Sequence, residues 1–126
     1  MRKLRQWKLE DGEIFADSGM VEQVVFNLLQ NAEQVLADRD SPRVELVGSL
    51  NRQGFACVEI SDNGPGVPAD IAKKVFVPFF TTKREGSGVG LALTRQVMLA
   101  HGGTVTLGVS ESGGAKFTLT FLTNRA

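Results

Sequence analysis

Between Met20 and about Ala37 apolar residues fall at Val21, Val24, Val25, Leu28, Leu29, Ala32, Val35 and Leu36. They return to one side about every 3.6 residues, which dictates an amphipathic helix, with Asp17 or Ser18 placed to cap its start. Such a helix needs an opposing apolar surface, and the chain supplies one as sheet. "RVELVGSL" (43–50) and "GFACVEISD" (54–62), joined by "NRQG", predict a hairpin. A second helix is expected from about Val89 to His101, after which "GTVTLGVS" and "AKFTLTFL" alternate and predict another hairpin. Short strands are expected over residues 3–9 and 13–16, a short helix over 69–75, and an irregular loop over 76–88. The order predicts an α+β fold. It is a two-layer α/β sandwich, with a mixed, mostly antiparallel sheet of about five strands covered on one face by about three helices.

At 126 residues the chain suits a single domain spanning residues 1–126. Fourteen Lys and Arg balance fourteen Asp and Glu, so there is no broad basic footprint for nucleic acid or an anionic membrane. No apolar stretch approaches the roughly 20 residues of a membrane span, and "MRKLRQWKLE" lacks the apolar run of a signal peptide. The single cysteine, Cys57, excludes an internal disulfide and reads as a small core side chain in a strand. A soluble cytoplasmic domain is expected. Glycine, at 14 residues, is unusually common, against roughly 7% on average. Gly64 and Gly66 flank Pro65, and Gly86, Gly88 and Gly90 alternate. The pairs Gly102–Gly103 and Gly113–Gly114 read as strand turns.

The first helix carries a conspicuous cost. "NLLQNA" (27–32) places two asparagines one turn apart, each roughly 0.6 kcal/mol worse than alanine in a helix interior. On an ideal wheel Asn31 falls on the shoulder of the apolar stripe, and Asn27 lies about 40° further round the same side. Two amides thus project together from the edge of the buried face. An amide oxygen there is a neutral hard donor, suited to a Mg²⁺ that keeps waters and shares phosphate oxygens. Taken alone, the pair also fits two partly exposed residues that tie a loop to the helix.

Asp62 ends an apolar strand in "SDNGPGV". A carboxylate accepts hydrogen bonds and so reads an exocyclic amine such as adenine's, while repelling guanine's carbonyl. The same residue type also merely initiates turns. In "REGSGVGLALTRQ", Gly86, Gly88 and Gly90 leave backbone N–H groups bare at the start of a helix, where phosphate oxygens bind, with Ser87, Lys83 and Arg84 beside them. No G-x-x-x-x-G-K-[ST] occurs, so this is not a P-loop. "VFVPFFTTK" sets Phe76, Phe79 and Phe80 in a loop, either as a satellite core or as anchors of a lid over a ligand.

An asparagine helix, then Asp-x-Gly-x-Gly, a phenylalanine-rich loop and alternating glycines opening a helix resembles the GHKL ATP-binding superfamily. Within it, "NLLQNA", "DNGPGV", "PFFTTK", "GSGVGLAL" and "HGG", in that order over about 17–122, resemble the catalytic ATP-binding domain of bacterial sensor histidine kinases. The resemblance implies ATP and Mg²⁺ as ligands, with Asn31 on the metal, Asn27 supporting the phosphates and Asp62 on the adenine amine. It implies a base pocket shaped by Gly64 and Gly66, a nucleotide contact from Val67, a lid over about 69–88, and phosphate contacts from Lys83, Ser87, Gly86, Gly88 and Gly90. Further nucleotide contacts are implied for Gln34, Phe80, Thr82, Val89, Leu91 and Thr118, and a catalytic role for Asn27, Asn31 and Lys83.

The hydrolysing branch of the superfamily has a glutamate one turn before the metal asparagine. Here that position is Asn27, which cannot act as a general base, so transfer is favoured over hydrolysis. Many histidine kinases place Lys and Tyr three and four residues past the metal asparagine. Here Gln34 and Val35 stand there, which shifts phosphate contact toward Lys83, Ser87 and backbone amides. Similarity to the nitrogen-regulation type of sensor kinase fits that departure. No helix bearing His followed by an acid is present, so the phosphoacceptor histidine is expected on a separate domain and a response regulator downstream. His101, the only histidine, reads as a helix C-terminal cap. The alternatives are a non-catalytic nucleotide-binding regulatory module and an anti-sigma-type serine kinase of the same superfamily.

Overall fold

A computed structural model describes residues 18–77 and 90–122. Helix α1 (Ser18–Val35) buries Val21, Val24, Val25, Leu28 and Ala32 and leaves Glu22, Gln23, Gln30 and Glu33 exposed, as its spacing dictates. It stops short of Ala37 because the chain tightens there: Ala37 N–H bonds the carbonyl three residues back, on Gln34, at 3.4 Å. Leu36 stays buried beyond the last helical turn.

Strands β1 (Val44–Leu50) and β2 (Ala56–Asp62) pair antiparallel, from Val44 opposite Asp62 to Leu50 opposite Ala56. The turn between them is organised by one side chain. Asn51 Oδ1 accepts N–H bonds from Gln53 (2.9 Å) and Phe55 (3.0 Å), and Gly54 takes a left-handed φ of 86°. Asn51→Ala strips both bonds and is expected to cost about 1–2 kcal/mol, read as a lower urea midpoint at unchanged slope.

After the short helix α2 (Ala69–Ala72), α3 (Gly90–Ala100) leads into β3 (Gly103–Val109) and β4 (Ala115–Phe121). The sheet order is β1-β2-β4-β3, with β4 antiparallel to both neighbours. Among the described residues there are therefore four strands, all antiparallel, where a mixed sheet of about five was expected. Every pairing is either a hairpin or the return of β4 beside β2, and neither makes a parallel neighbour. The strands expected over 3–9 and 13–16 lie outside the described residues. Gly102–Gly103 is a helix-to-strand junction and not a strand turn, with Gly102 at a φ of 78°.

The helices cover one face. Ala56, Val58 and Ile60 of β2, Phe117, Leu119 and Phe121 of β4, and Val105 of β3 form one core with α1 and Met98 of α3. Alternate residues, including Glu59, Ser61, Thr118 and Thr120, point to the opposite, polar face. There Lys116 and Glu59 approach at 3.9 Å, a partly exposed pair contributing about 0.2–1 kcal/mol at most. Cys57 also lies on this face, buried beside Thr120 Oγ1 at 3.6 Å; it is a small strand side chain as expected, on the side away from the helices. No helix among the described residues is long and apolar enough to cross a membrane.

Candidate functional site

Residues 27, 31 and 35 stand one above another on α1, one turn apart. At the first level Asn27 Nδ2 donates to Thr94 Oγ1 (3.4 Å), and the fully buried Thr94 donates its own proton to the Gly90 carbonyl (3.0 Å) in the first turn of α3. At the third level Val35 packs against the turn after β2: a Cβ on Gly64 would meet Val35 Cγ1 at 3.0 Å and Leu36 Cδ2 at 3.3 Å. One helix edge, about 12 Å long, thus runs from the start of α3 to the Asp62 turn. Asn31 is its middle rung, and both asparagines are half-buried.

Asp62 is 5% exposed, yet its carboxylate is compensated. Oδ1 accepts N–H bonds from Gly64 (2.8 Å) and Ala115 (3.2 Å), drawing on two separate loops. Asn63 points the other way, its amide bonded to Ser41 O (2.8 Å) and Arg43 N–H (2.9 Å), and so pins the turn to the entrance of β1. Gly66 adopts a φ of 78° beside Gly113, whose carbonyl would lie 2.7 Å from a Cβ. Gly66 is therefore required by its backbone conformation and by close approach to the β3–β4 turn, while Gly64 sits in tight contact with the side chains at the end of α1.

At the other end, a Cβ on Gly90 would meet nothing within 4 Å. The exposed Gly90 opens an 11-residue helix, whose first N–H groups and positive dipole end suit an anion. Gln34 is exposed on the same side of α1 as Asn27. Val67 and Leu91 are partly buried and pack on the core. Phe76 stacks edge-on against Phe117 (6.2 Å, 83°), so this member of the phenylalanine loop joins the main core. Thr118 faces the polar side of the sheet, away from Asp62 and both helices, because it alternates with the buried Phe117 and Leu119. Phe79, Phe80, Thr82, Lys83, Gly86, Ser87, Gly88 and Val89, and with them most of the expected lid, lie outside the described residues. His101 caps α3, its Nδ1–H donating to the Val97 carbonyl at 2.9 Å.

Sequence reasoning missed Thr94, Ser110 and Gly114. Thr94 signals itself only as a hydroxyl among the apolar residues of α3. The hydroxyls of Ser110 and Ser112 reach the Asp62 carbonyl at 2.8 and 3.3 Å, a contact that no local pattern announces.

Residues 16–125 match the family described as Histidine kinase-, DNA gyrase B-, and HSP90-like ATPase. The chain belongs to that family. Among relatives, Signal transduction histidine-protein kinase AtoS of Escherichia coli K12 is 39% identical over 106 residues, covering 84% of this chain and 17% of that protein. Sensor histidine kinase ZraS of Escherichia coli O157:H7 is 37% identical over 107 residues, covering 85% and 23%. The chain thus spans 17–23% of the length of these curated relatives. Among solved structures, the mycobacterial sensor histidine kinase MprB superposes with a TM-score of 0.76 at 28% identity, over 92% of this chain and 80% of that one. Full-length ShkA, solved in complex with AMPPNP, superposes with a TM-score of 0.78 at 28% identity, over 96% and 26%. Within the family, the chain has the fold and sequence of the ATP-binding catalytic domain of sensor histidine kinases.

Proposed function

We propose that this domain binds Mg·ATP along the α1 edge and delivers the γ-phosphoryl group to a histidine on a separate phosphoacceptor domain. One observation carries the reading: a single helix edge links the buried, amide-held carboxylate of Asp62 to the anion-suited start of α3, with Asn31 between them. The base belongs at the Asp62 end and the triphosphate at the Gly90 end. The AMPPNP bound by full-length ShkA supports the choice of nucleotide.

The donor set fits magnesium. Among the described residues no group of three or more His, Cys, Asp or Glu gathers to make a protein cage. A single amide oxygen from Asn31 suits an ion whose remaining positions are filled by waters and phosphates. Bound there, magnesium supplies neutralisation of charge on the phosphate oxygens. The chain's own residues hold and orient: Asp62 fixes the base, Asn27 steadies the phosphate end through Thr94, and the α3 amides take phosphate oxygens. In the transfer, the bond from the γ-phosphorus to the β,γ-bridging oxygen breaks, a bond to an imidazole nitrogen forms, and ADP leaves. Asn27 offers no base for water, which favours transfer over hydrolysis. Lys83 and Ser87 complete the phosphate contacts in this reading. Thr118 is left out of it, and a response regulator is the onward acceptor.

Mixing the domain with a cognate phosphoacceptor fragment and γ-labelled ATP tests the proposal. Label on histidine supports it; nucleotide binding without label marks the domain as a regulatory nucleotide sensor. A sharper check is Asp62→Asn. The new Oδ1 still accepts from Gly64 and Ala115, while Nδ2 turns a donor toward the donor amine of adenine. ATP affinity should fall at least about tenfold with little change in melting temperature, measured by calorimetric titration and thermal unfolding.

A further inference from the structure

The ladder between β2 and β4 ends at Ser61 opposite Lys116, so on that side the backbone of Asp62 has no strand partner. The β3–β4 turn takes over. Ser110, 6% exposed, donates its hydroxyl proton to the Asp62 carbonyl at 2.8 Å, and its oxygen accepts the Gly114 N–H at 2.8 Å. The next amide along, Ala115 N–H, reaches Asp62 Oδ1 at 3.2 Å. The exposed Ser112 adds a longer bond to the same carbonyl (3.3 Å) and meets Ser110 Oγ at 3.2 Å. The turn itself is closed by Ser110 N–H to Gly114 O (2.9 Å) and Gly113 N–H to Ser110 O (3.0 Å). The main chain of Asp62 is thus held by the 110–114 turn, which begins 48 residues further along the chain, and its carboxylate by Ala115, the first residue of β4 after that turn, together with Gly64.

The geometry points to Ser110 as a positioning residue for base selection, acting through Asp62. The inference rests on the reading of Asp62 as the adenine-contacting group and adds to it a residue that touches no part of the nucleotide. A carboxylate tells an amine from a carbonyl only while its outward oxygen is held in place, because attraction to one and repulsion of the other both depend on distance and direction. Removing the Ser110 hydroxyl leaves the buried Gly114 N–H without its partner and the Asp62 carbonyl with only the longer bond from Ser112, and Asp62 shifts to regain bonds. Affinity for ATP then falls while the penalty against GTP relaxes.

The test compares ATP and GTP binding by titration in the unmodified chain, in Ser110→Ala, in Asp62→Asn and in the double variant, with thermal unfolding followed alongside. Ser110→Ala is expected to lower the ATP-over-GTP preference about tenfold, and to lower it no further when Asp62 is already Asn. A purely structural role weakens both nucleotides alike. An intact preference in folded Ser110→Ala, or an equal fall in the Asp62→Asn background, overturns the inference. A second arm needs no substitution. In the unmodified chain the amide resonances of Gly114 and Ala115 should move on adding ATP and stay still with inorganic triphosphate; stillness with both overturns it. If the unmodified chain prefers neither base, the adenine role of Asp62 fails and this inference with it. If the preference exists and Ser110→Ala retains it, only the inference fails.

Discussion

Asn31→Ala is expected to abolish the magnesium dependence of nucleotide binding. In the unmodified domain ATP should bind at least about 100-fold more tightly with magnesium than with chelator, a difference of about 2.7 kcal/mol. In the variant the two titrations should coincide near the chelator value. The reason lies in position and chemistry together. Asn31 is the middle rung of the α1 edge, half-buried between the start of α3 and the Asp62 turn, and its amide oxygen is a hard neutral ligand where described acidic residues form no cage. Alanine is the better helix former, so the fold should hold or gain slightly, which separates lost binding from lost structure. Calorimetric titrations with and without magnesium decide the matter. A variant whose two affinities still differ like those of the parent would remove Asn31 from the metal.

Gly114→Ala is expected to destabilise the domain by about 3 kcal/mol or more and lower its melting temperature by about 10 °C. A methyl there would overlap the carbonyl of Asp62, come within 2.5 Å of Asp62 Oδ1 and within 2.7 Å of the Gly64 amide. These are backbone atoms and a tightly bonded carboxylate, with no flexible side-chain end to swing aside. If Asp62 contacts the base as proposed, nucleotide binding should collapse as well, because Asp62 is the group that has to give way. Gly113 next door makes the comparison clean. Its Cβ direction is open, and it is glycine because φ is 91°. Gly113→Ala therefore carries only the left-handed backbone cost of about 1–2 kcal/mol. Equal effects at the two positions, in thermal unfolding, would refute the close-approach argument.

Much of this molecule was legible before any coordinates. The α1 stripe, both hairpins and the helix opening at the alternating glycines follow from periodicity, because burial of one face imposes a period on the chain. The His101 cap was readable from its place at a helix end. The Asp62 end of the site was half legible. Asp62 and the two glycines after it form a local pattern, whereas Ser110 and Gly114 meet them only once β4 lies beside β2. Thr94 was hidden for the same reason, its bond to Asn27 spanning 67 residues. The face that Thr118 occupies was legible from period alone, since it alternates with the buried Phe117 and Leu119.

The single helix edge that spans the site has an evolutionary consequence. Inserting or deleting one residue between Asn27 and Val35 would turn the far end by about 100° and displace it by about 1.5 Å. The two asparagines would then no longer share a side with the contact to Gly64. Length is frozen across this stretch, and descendants can differ there only by exchange of one residue for another. The Asn51–Phe55 turn bears no such restriction, since added residues there lengthen a loop at little entropic cost. Drift in chain length should accumulate at that turn and spare α1.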